Sequence, residues 1–186
     1  MKIINLPLRE EIVADFRAGD QVLLNGVIYV ARDSAHKKII EALEKGDKLP
    51  FELNGATVYY MGPSPTRPNM VIGSAGPTTS GRMDKYAPEL LRRGLKGMIG
   101  KGFRSAEVKK AIVEYKAVYF AALGGCGALI AKCVKRCEVI AFPELGPEAI
   151  CRIIVENFSA IVVNDIYGGD AYEEGRKKYV QYEIKK

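Results

Sequence analysis

No apolar run in this 186-residue chain approaches the roughly 20 residues needed to cross a bilayer; Ala117 to Leu123 and Ile161 to Val163 stop far short. The N-terminus also lacks the basic-then-apolar layout of a signal peptide, so a soluble cytoplasmic protein without a membrane partner is expected. Closely spaced cysteines are missing as well. Cys126, Cys133, Cys137 and Cys151 contain no C-x-x-C pair, which removes zinc ribbons and argues against an iron–sulfur cluster held by this chain alone. They read as buried thiols acting as small hydrophobes, although Cys133 and Cys137 would share a face if one helix carried both. A net charge of +6 invites a nucleic-acid reading, but Lys37-Lys38, Arg92-Arg93, Lys109-Lys110 and Lys185-Lys186 are interleaved with acidic residues. They read as solvated faces, and nucleic acid is not an expected partner. Internal repeats and low-complexity tracts are absent.

What is present describes an ordinary folding chain. Hydrophobic residues at 48% with 27% charged exclude disorder, and the length suits one domain over residues 1–186, with a tail from about 173. A strand at 2–7 and a helix from Arg9 to Arg17 come first. Gln21 to Leu24 and Val27 to Ala31 then flank Asn25-Gly26, and Phe51 to Leu53 and Ala56 to Met61 flank Asn54-Gly55, pairs that favour tight hairpins. Between them Ala35 to Leu43 has helical spacing, with Gly46 as its stop. Gly62 to Pro68, with three prolines, is a loop.

From residue 70 strands and helices alternate: Met70 to Ala75, a helix to Arg93, Gly97 to Ile99, helix Ala106 to Tyr115, Ala117 to Leu123, helix Gly127 to Lys135, Val139 to Phe142, helix Pro147 to Asn157, and Ala160 to Asn164. The expected fold is therefore α/β, a layered β/β/α domain with a hairpin-rich first third and βαβ units after it. A doubly wound sheet is the alternative, since Leu123-Gly124-Gly125-Cys126-Gly127 has the look of a phosphate turn; Ile130 stands where its third glycine would be.

Chemistry gathers at the expected carboxyl ends of strands. Gly76-Pro77-Thr78-Thr79-Ser80-Gly81-Arg82-Met83-Asp84 offers hydroxyls as helix N-caps and a guanidinium fork for a carboxylate or phosphate. Arg32 and Asp33 follow a second strand and Asp165 another. Lys101 sits in Gly100-Lys101-Gly102, where small neighbours allow close approach of a ligand. Mostly cationic and hydroxyl groups point to an acidic substrate. His36, the sole histidine, lies one turn beyond Arg32 near a helix N-terminus, where a neutral imidazole would suit a proton acceptor; an ordinary structural histidine is the alternative.

Ala31-Arg32-Asp33-Ser34-Ala35-His36-Lys37, the 76–83 segment, Met98-Ile99-Gly100-Lys101-Gly102 and Glu144-Leu145-Gly146-Pro147-Glu148-Ala149 together resemble the β subunit of class I, iron–sulfur fumarate hydratase and L-tartrate dehydratase, over about residues 8 to 172. The C-terminal domain of single-chain class I fumarases is an equal match. The resemblance implies a swivelling β/β/α domain and a partner α subunit carrying a [4Fe-4S] cluster, with no metal held by this chain. It implies reversible addition of water to a dicarboxylate, fumarate to L-malate, as a hydro-lyase inactive as a lone chain. Arg32, Arg82 and Lys101 would clamp carboxylates and stabilise the aci-carboxylate. Thr78 or His36 would be the base; a threonine alkoxide needs nearby cations to lower its pKa. L-tartrate dehydration is the alternative substrate reading, since Cys126 suits that branch and Pro147-Glu148-Ala149 the other. A non-catalytic dicarboxylate-binding or regulatory protein is the alternative of another class. A dimer of heterodimers is the expected assembly, with self-association of the free chain also open.

Overall fold

The computed structural model describes residues 1–180, so the Lys185-Lys186 end lies outside the described residues. In chain order the elements are β1 (Lys2–Asn5), α1 (Glu10–Ala14), β2 (Gln21–Val30), α2 (Asp33–Lys45), β3 (Thr57–Tyr59), a 3-10 turn (Ser80–Met83) and α3 (Ala87–Arg92). There follow β4 (Gly97–Gly100), α4 (Ala106–Glu114), β5 (Val118–Ala121), α5 (Gly127–Cys133), β6 (Val134–Ala141), a 3-10 stretch (Pro143–Glu148), β7 (Ile150–Asn164) and α6 (Ala171–Tyr179). Together they form one mixed α/β unit around a seven-stranded sheet.

Strands β1 to β5 run parallel to their neighbours, whereas β7 is antiparallel to β2, β5 and β6. Because β7 pairs with both β2 and β5, the sheet closes on itself through β2, β3, β4, β5 and β7. Strand alternation then feeds two cores. Tyr59, Ile99, Val118, Phe120 and Val162 pack on one face with Val13 and Phe16 of the α1 region and Ile130 of α5. Val58, Tyr60, Met98, Tyr119 and Val163 pack on the other with α2, α3 and α4. Burying each such large apolar side chain contributes about 1.5–3 kcal/mol before entropy is counted. Among the described residues no helix is long and apolar enough to cross a membrane.

The antiparallel part of the chain lies at the opposite end from the one expected. No hairpin forms at Asn25-Gly26. Gln21–Val30 is one strand, and Gly26, at φ +115°, sits at a bulge where the register against β7 shifts. Asn25 is committed on both sides: its carbonyl accepts from Leu6 N at 2.8 Å and its side-chain oxygen from Asn157 N at 2.8 Å. Phe51 to Leu53 is not a strand either, and Gly55 N donates to Gly94 O at 3.0 Å instead of closing a hairpin. The first third is thus built from βαβ units, β1-α1-β2 and β2-α2-β3.

Four further expectations change. The helix expected over Pro147 to Asn157 is the first half of β7, where β-branched Ile153, Ile154 and Val155 favour the sheet. Met70 to Ala75 is irregular, with Met70 and Val71 exposed. Helix α5 ends at Cys133 and β6 carries Cys137, so these thiols do not share a helix. Residues from 173, set aside as tail, are helical to Tyr179.

Candidate functional site

Parallel strands deliver their carboxyl ends to one rim, and four loops follow there: Ala31-Arg32 after β2, Tyr60 to Gly62 after β3, Lys101-Gly102 after β4 and Ala122 to Gly124 after β5. The expected Asp165 is not on this rim. Strand β7 runs the other way, with Ile161 opposite Gln21 at the start of β2. Asp165 is buried on the far side, accepting from Ala18 N (2.8 Å), Tyr167 N (2.9 Å) and Gly169 N (2.9 Å), and so organises a turn.

Arg32 precedes α2 in extended conformation and Asp33 opens the helix. Arg32 Nε lies 3.3 Å from Asp33 Oδ2, and Asp33 Oδ1 accepts from Arg82 Nε at 2.9 Å. One carboxylate therefore joins two guanidiniums that are 50 residues apart in sequence. Burial pushes Asp33 up, but its own backbone N–H, Arg82 and Arg32 outweigh this and hold the carboxyl below its usual value.

Residues 76–84 reach this place by bridging, not by capping a long helix. Thr78 N donates to Tyr60 O at 2.7 Å, Lys101 N to Thr78 O at 3.2 Å, and Ser80 N to Lys101 O at 2.9 Å. The segment thus runs as a short extension beside the end of β4, pairing Thr79 with Lys101 in parallel. Neither Thr79 nor Tyr86 caps with its side chain, and Ser80 opens only a four-residue 3-10 turn. The Ser80 hydroxyl is buried, 2.9 Å from Tyr119 Oη, which itself donates to Gly102 O at 2.8 Å. Tyr119 has a single proton, so Ser80 is the donor to it. Thr78 is half-buried; Thr79, Arg82 and Lys101 are exposed. The Lys101 stem passes Gly124, whose added Cβ would lie 3.7 Å from Lys101 Cδ.

His36 is in the expected first turn of α2 but is fully buried, with its ring against Tyr60 (5.3 Å) and Tyr86 (5.9 Å). Its Nδ1 is 3.0 Å from Arg32 O, which also accepts His36 N at 2.8 Å. A carbonyl can only accept, so Nδ1 carries the proton and Nε2 is an unpartnered lone pair. Desolvation lowers its pKa to about 4, with Arg104 adding to the effect against the Arg32 carbonyl.

Two groups were given no role by sequence reasoning. Arg104, with a fully buried side chain, donates to Asp84 Oδ1 at 2.7 Å, while Asp84 Oδ2 accepts from Ser105 N at 2.6 Å; this ties the 80–86 segment to the start of α4. Glu148 crosses from the 3-10 stretch before β7 to Ser34 N at 2.7 Å and Arg32 Nη2 at 3.2 Å. Its motif was visible, but only a long-range contact gives it a task. Among the described residues no three His, Cys, Asp or Glu side chains gather as metal ligands. Cys126 precedes α5 and Cys133 ends it, whereas Cys137 lies on β6 and Cys151 on β7. These residues do not fit a cluster held by this chain.

The rim therefore collects two braced guanidiniums, an ammonium and a hydroxyl, a set that can hold two carboxylates and stabilise charge between them. The family model described as Fumarase C-terminus matches residues 1–175. The provisionally named L(+)-tartrate dehydratase subunit beta of Methanocaldococcus jannaschii is 44% identical over 177 residues, covering 92% of this chain and 91% of that protein. Fumarate hydratase 2 of Leishmania major is 40% identical over 87% of this chain and 29% of its own length. The aerobic class I fumarate hydratase of Escherichia coli K12 is 37% identical over 92% of this chain and 32% of its own. The chain thus spans nearly all of the first relative and about a third of the other two.

Proposed function

The chain belongs to the fumarase C-terminal family, and from that premise we propose that it is the β subunit of a two-subunit hydro-lyase that reversibly hydrates fumarate to L-malate at an interface with an α subunit. The observation that carries this reading is the meeting of Arg32, Thr78, Arg82 and Lys101, from three separate loops, at one rim of the sheet. Arg32, Arg82 and Lys101 bind the substrate carboxylates and stabilise the negative charge that develops when a proton leaves the adjacent carbon. Thr78 takes that proton. Thr78 is half-buried and its backbone pairs with that of Lys101, so its hydroxyl suits the role better than His36, whose free Nε2 lone pair is fully buried.

The [4Fe-4S] cluster belongs to the α subunit in this reading, and when bound it supplies a Lewis-acid iron. The swivelling β/β/α arrangement is inferred with it, supported by the two cores on either face of the sheet. Four unpaired cysteines fit a reducing compartment, so we place the protein in the cytoplasm. A symmetric dimer of heterodimers is the proposed assembly. L-tartrate dehydration to oxaloacetate is the second reading, favoured by the relative that matches this chain nearly end to end. Anaerobic co-production with the α subunit, followed by parallel assays on fumarate and L-tartrate, tests both. The complex is expected to turn over fumarate faster and the isolated chain neither; a complex idle on both substrates removes the hydro-lyase reading and leaves a binding or regulatory protein.

A further inference from the structure

We infer that Glu148, working with Asp33, is a positioning residue for the arginine clamp: the two carboxylates fix where the Arg32 and Arg82 guanidiniums stand. This deepens the hydro-lyase reading and rests on it for its catalytic consequence. Glu148 lies in the Glu144 to Ala149 motif, to which the reaction itself gives no task. The stretch is held on α2 at two places. Lys38 Nζ meets Glu144 Oε1 at 2.7 Å and sits 4.8 Å from the Phe142 ring centroid, and Glu148 Oε2 accepts from Ser34 N at 2.7 Å. Its other oxygen takes Arg32 Nη2 at 3.2 Å, while Asp33 takes Arg32 Nε at 3.3 Å.

The remaining side of Arg32 is walled by backbone. A Cβ added at Gly62 would fall 2.6 Å from Nη1 and 3.2 Å from Pro147 O, so only glycine leaves room for the guanidinium there. Arg32 is thus held on three sides at 23% side-chain exposure, whereas Arg82, at 50%, is held among the described residues by Asp33 alone. Two cations placed close together without counter-charges would repel each other and swing apart on their long stems. Two carboxylates balance them and leave the forks oriented before the ligand arrives, which reduces the ordering cost of binding. Glu148 is itself kept ionised: burial raises its pKa, but the Ser34 hydrogen bonds and Arg32 more than offset this.

Phenylglyoxal labelling of the full chain, read residue by residue by mass spectrometry against exposed Arg136, tests the brace without assuming catalysis. Glu148→Gln keeps the shape and the hydrogen-bond acceptor. It should raise the Arg32 labelling rate by about fivefold, and Asp33→Asn should do the same at Arg82; rates equal to wild type overturn the brace. In the complex with the α subunit, Glu148→Gln should raise the dicarboxylate KM by about tenfold while kcat stays within about threefold. Faster labelling with an unchanged KM in an active complex overturns the assignment to substrate positioning. An inactive wild-type complex refutes the hydro-lyase reading instead, and labelling still decides the brace.

Discussion

His36 shows how burial fixes a protonation state. Its Nδ1–H is committed to the Arg32 carbonyl, Nε2 has no donor, and Arg104 adds positive charge nearby. The folded pKa is about 4 against 6.5 for the free group. Below 6.5 the unfolded chain takes up a proton that the folded chain refuses, so stability is full above that value and is lost as pH falls towards 4. Between about pH 7 and pH 5 the loss should be about 2 kcal/mol. The depressed carboxylates Asp33 and Glu148 lose their contributions at lower pH, below their ordinary values, and Cys137, lowered to about 7, adds only the end of its own loss near pH 7, so the histidine dominates this window. Denaturant titrations across it should show the slope in wild type and lose most of it in His36→Gln.

Tyr119 plays at the scale of elements the part that His36 plays at the scale of a residue. From β5 its hydroxyl links Ser80, at the head of the 3-10 turn, to Gly102, just beyond Lys101. Tyr119→Phe leaves the buried Ser80 hydroxyl and the Gly102 carbonyl without that partner, and should cost about 1–3 kcal/mol in unfolding free energy. Because Thr78 and Lys101 flank the severed link, substrate affinity should fall as well; an unchanged KM in the complex would mean that their backbone pairing suffices to hold them.

Elements whose signals were local could be read from sequence. Helix α2, ended by Gly46 in the left-handed conformation as its spacing and stop signal suggested, and α4, whose Ser105 Oγ accepts from Val108 N, lie close to the ranges read from sequence. Asn25-Gly26 misled because the pair's turn preference is weaker than the pairing of β2 with β1, β3 and β7. Residues 147–157 misled because Ile150, Ile153 and Ile154 fit helical spacing as well as a strand, and only the partners β2 and β6 decide. Arg32 and Lys101 could be placed at strand ends from sequence, whereas Thr78 and Arg82 reach the same rim without the strand expected before them. The task of Glu148 was not legible, since it depends on a contact across 114 residues.

For the whole molecule, the closed pairing through β7 gathers the ends of β2, β3 and β4 at one rim, and that rim carries cations and a hydroxyl without metal ligands among the described residues. In the proposed reading such a rim is half of a dicarboxylate site. An account that makes Thr78 the proton acceptor and the arginines the clamp assigns the reacting group to this chain and the Lewis acid to its partner. The most direct measurement is the turnover of the α–β complex carrying Thr78→Val, compared with wild type at matched cluster content. The account predicts a loss of about a thousandfold in kcat with KM little changed; turnover within about tenfold of wild type would contradict it.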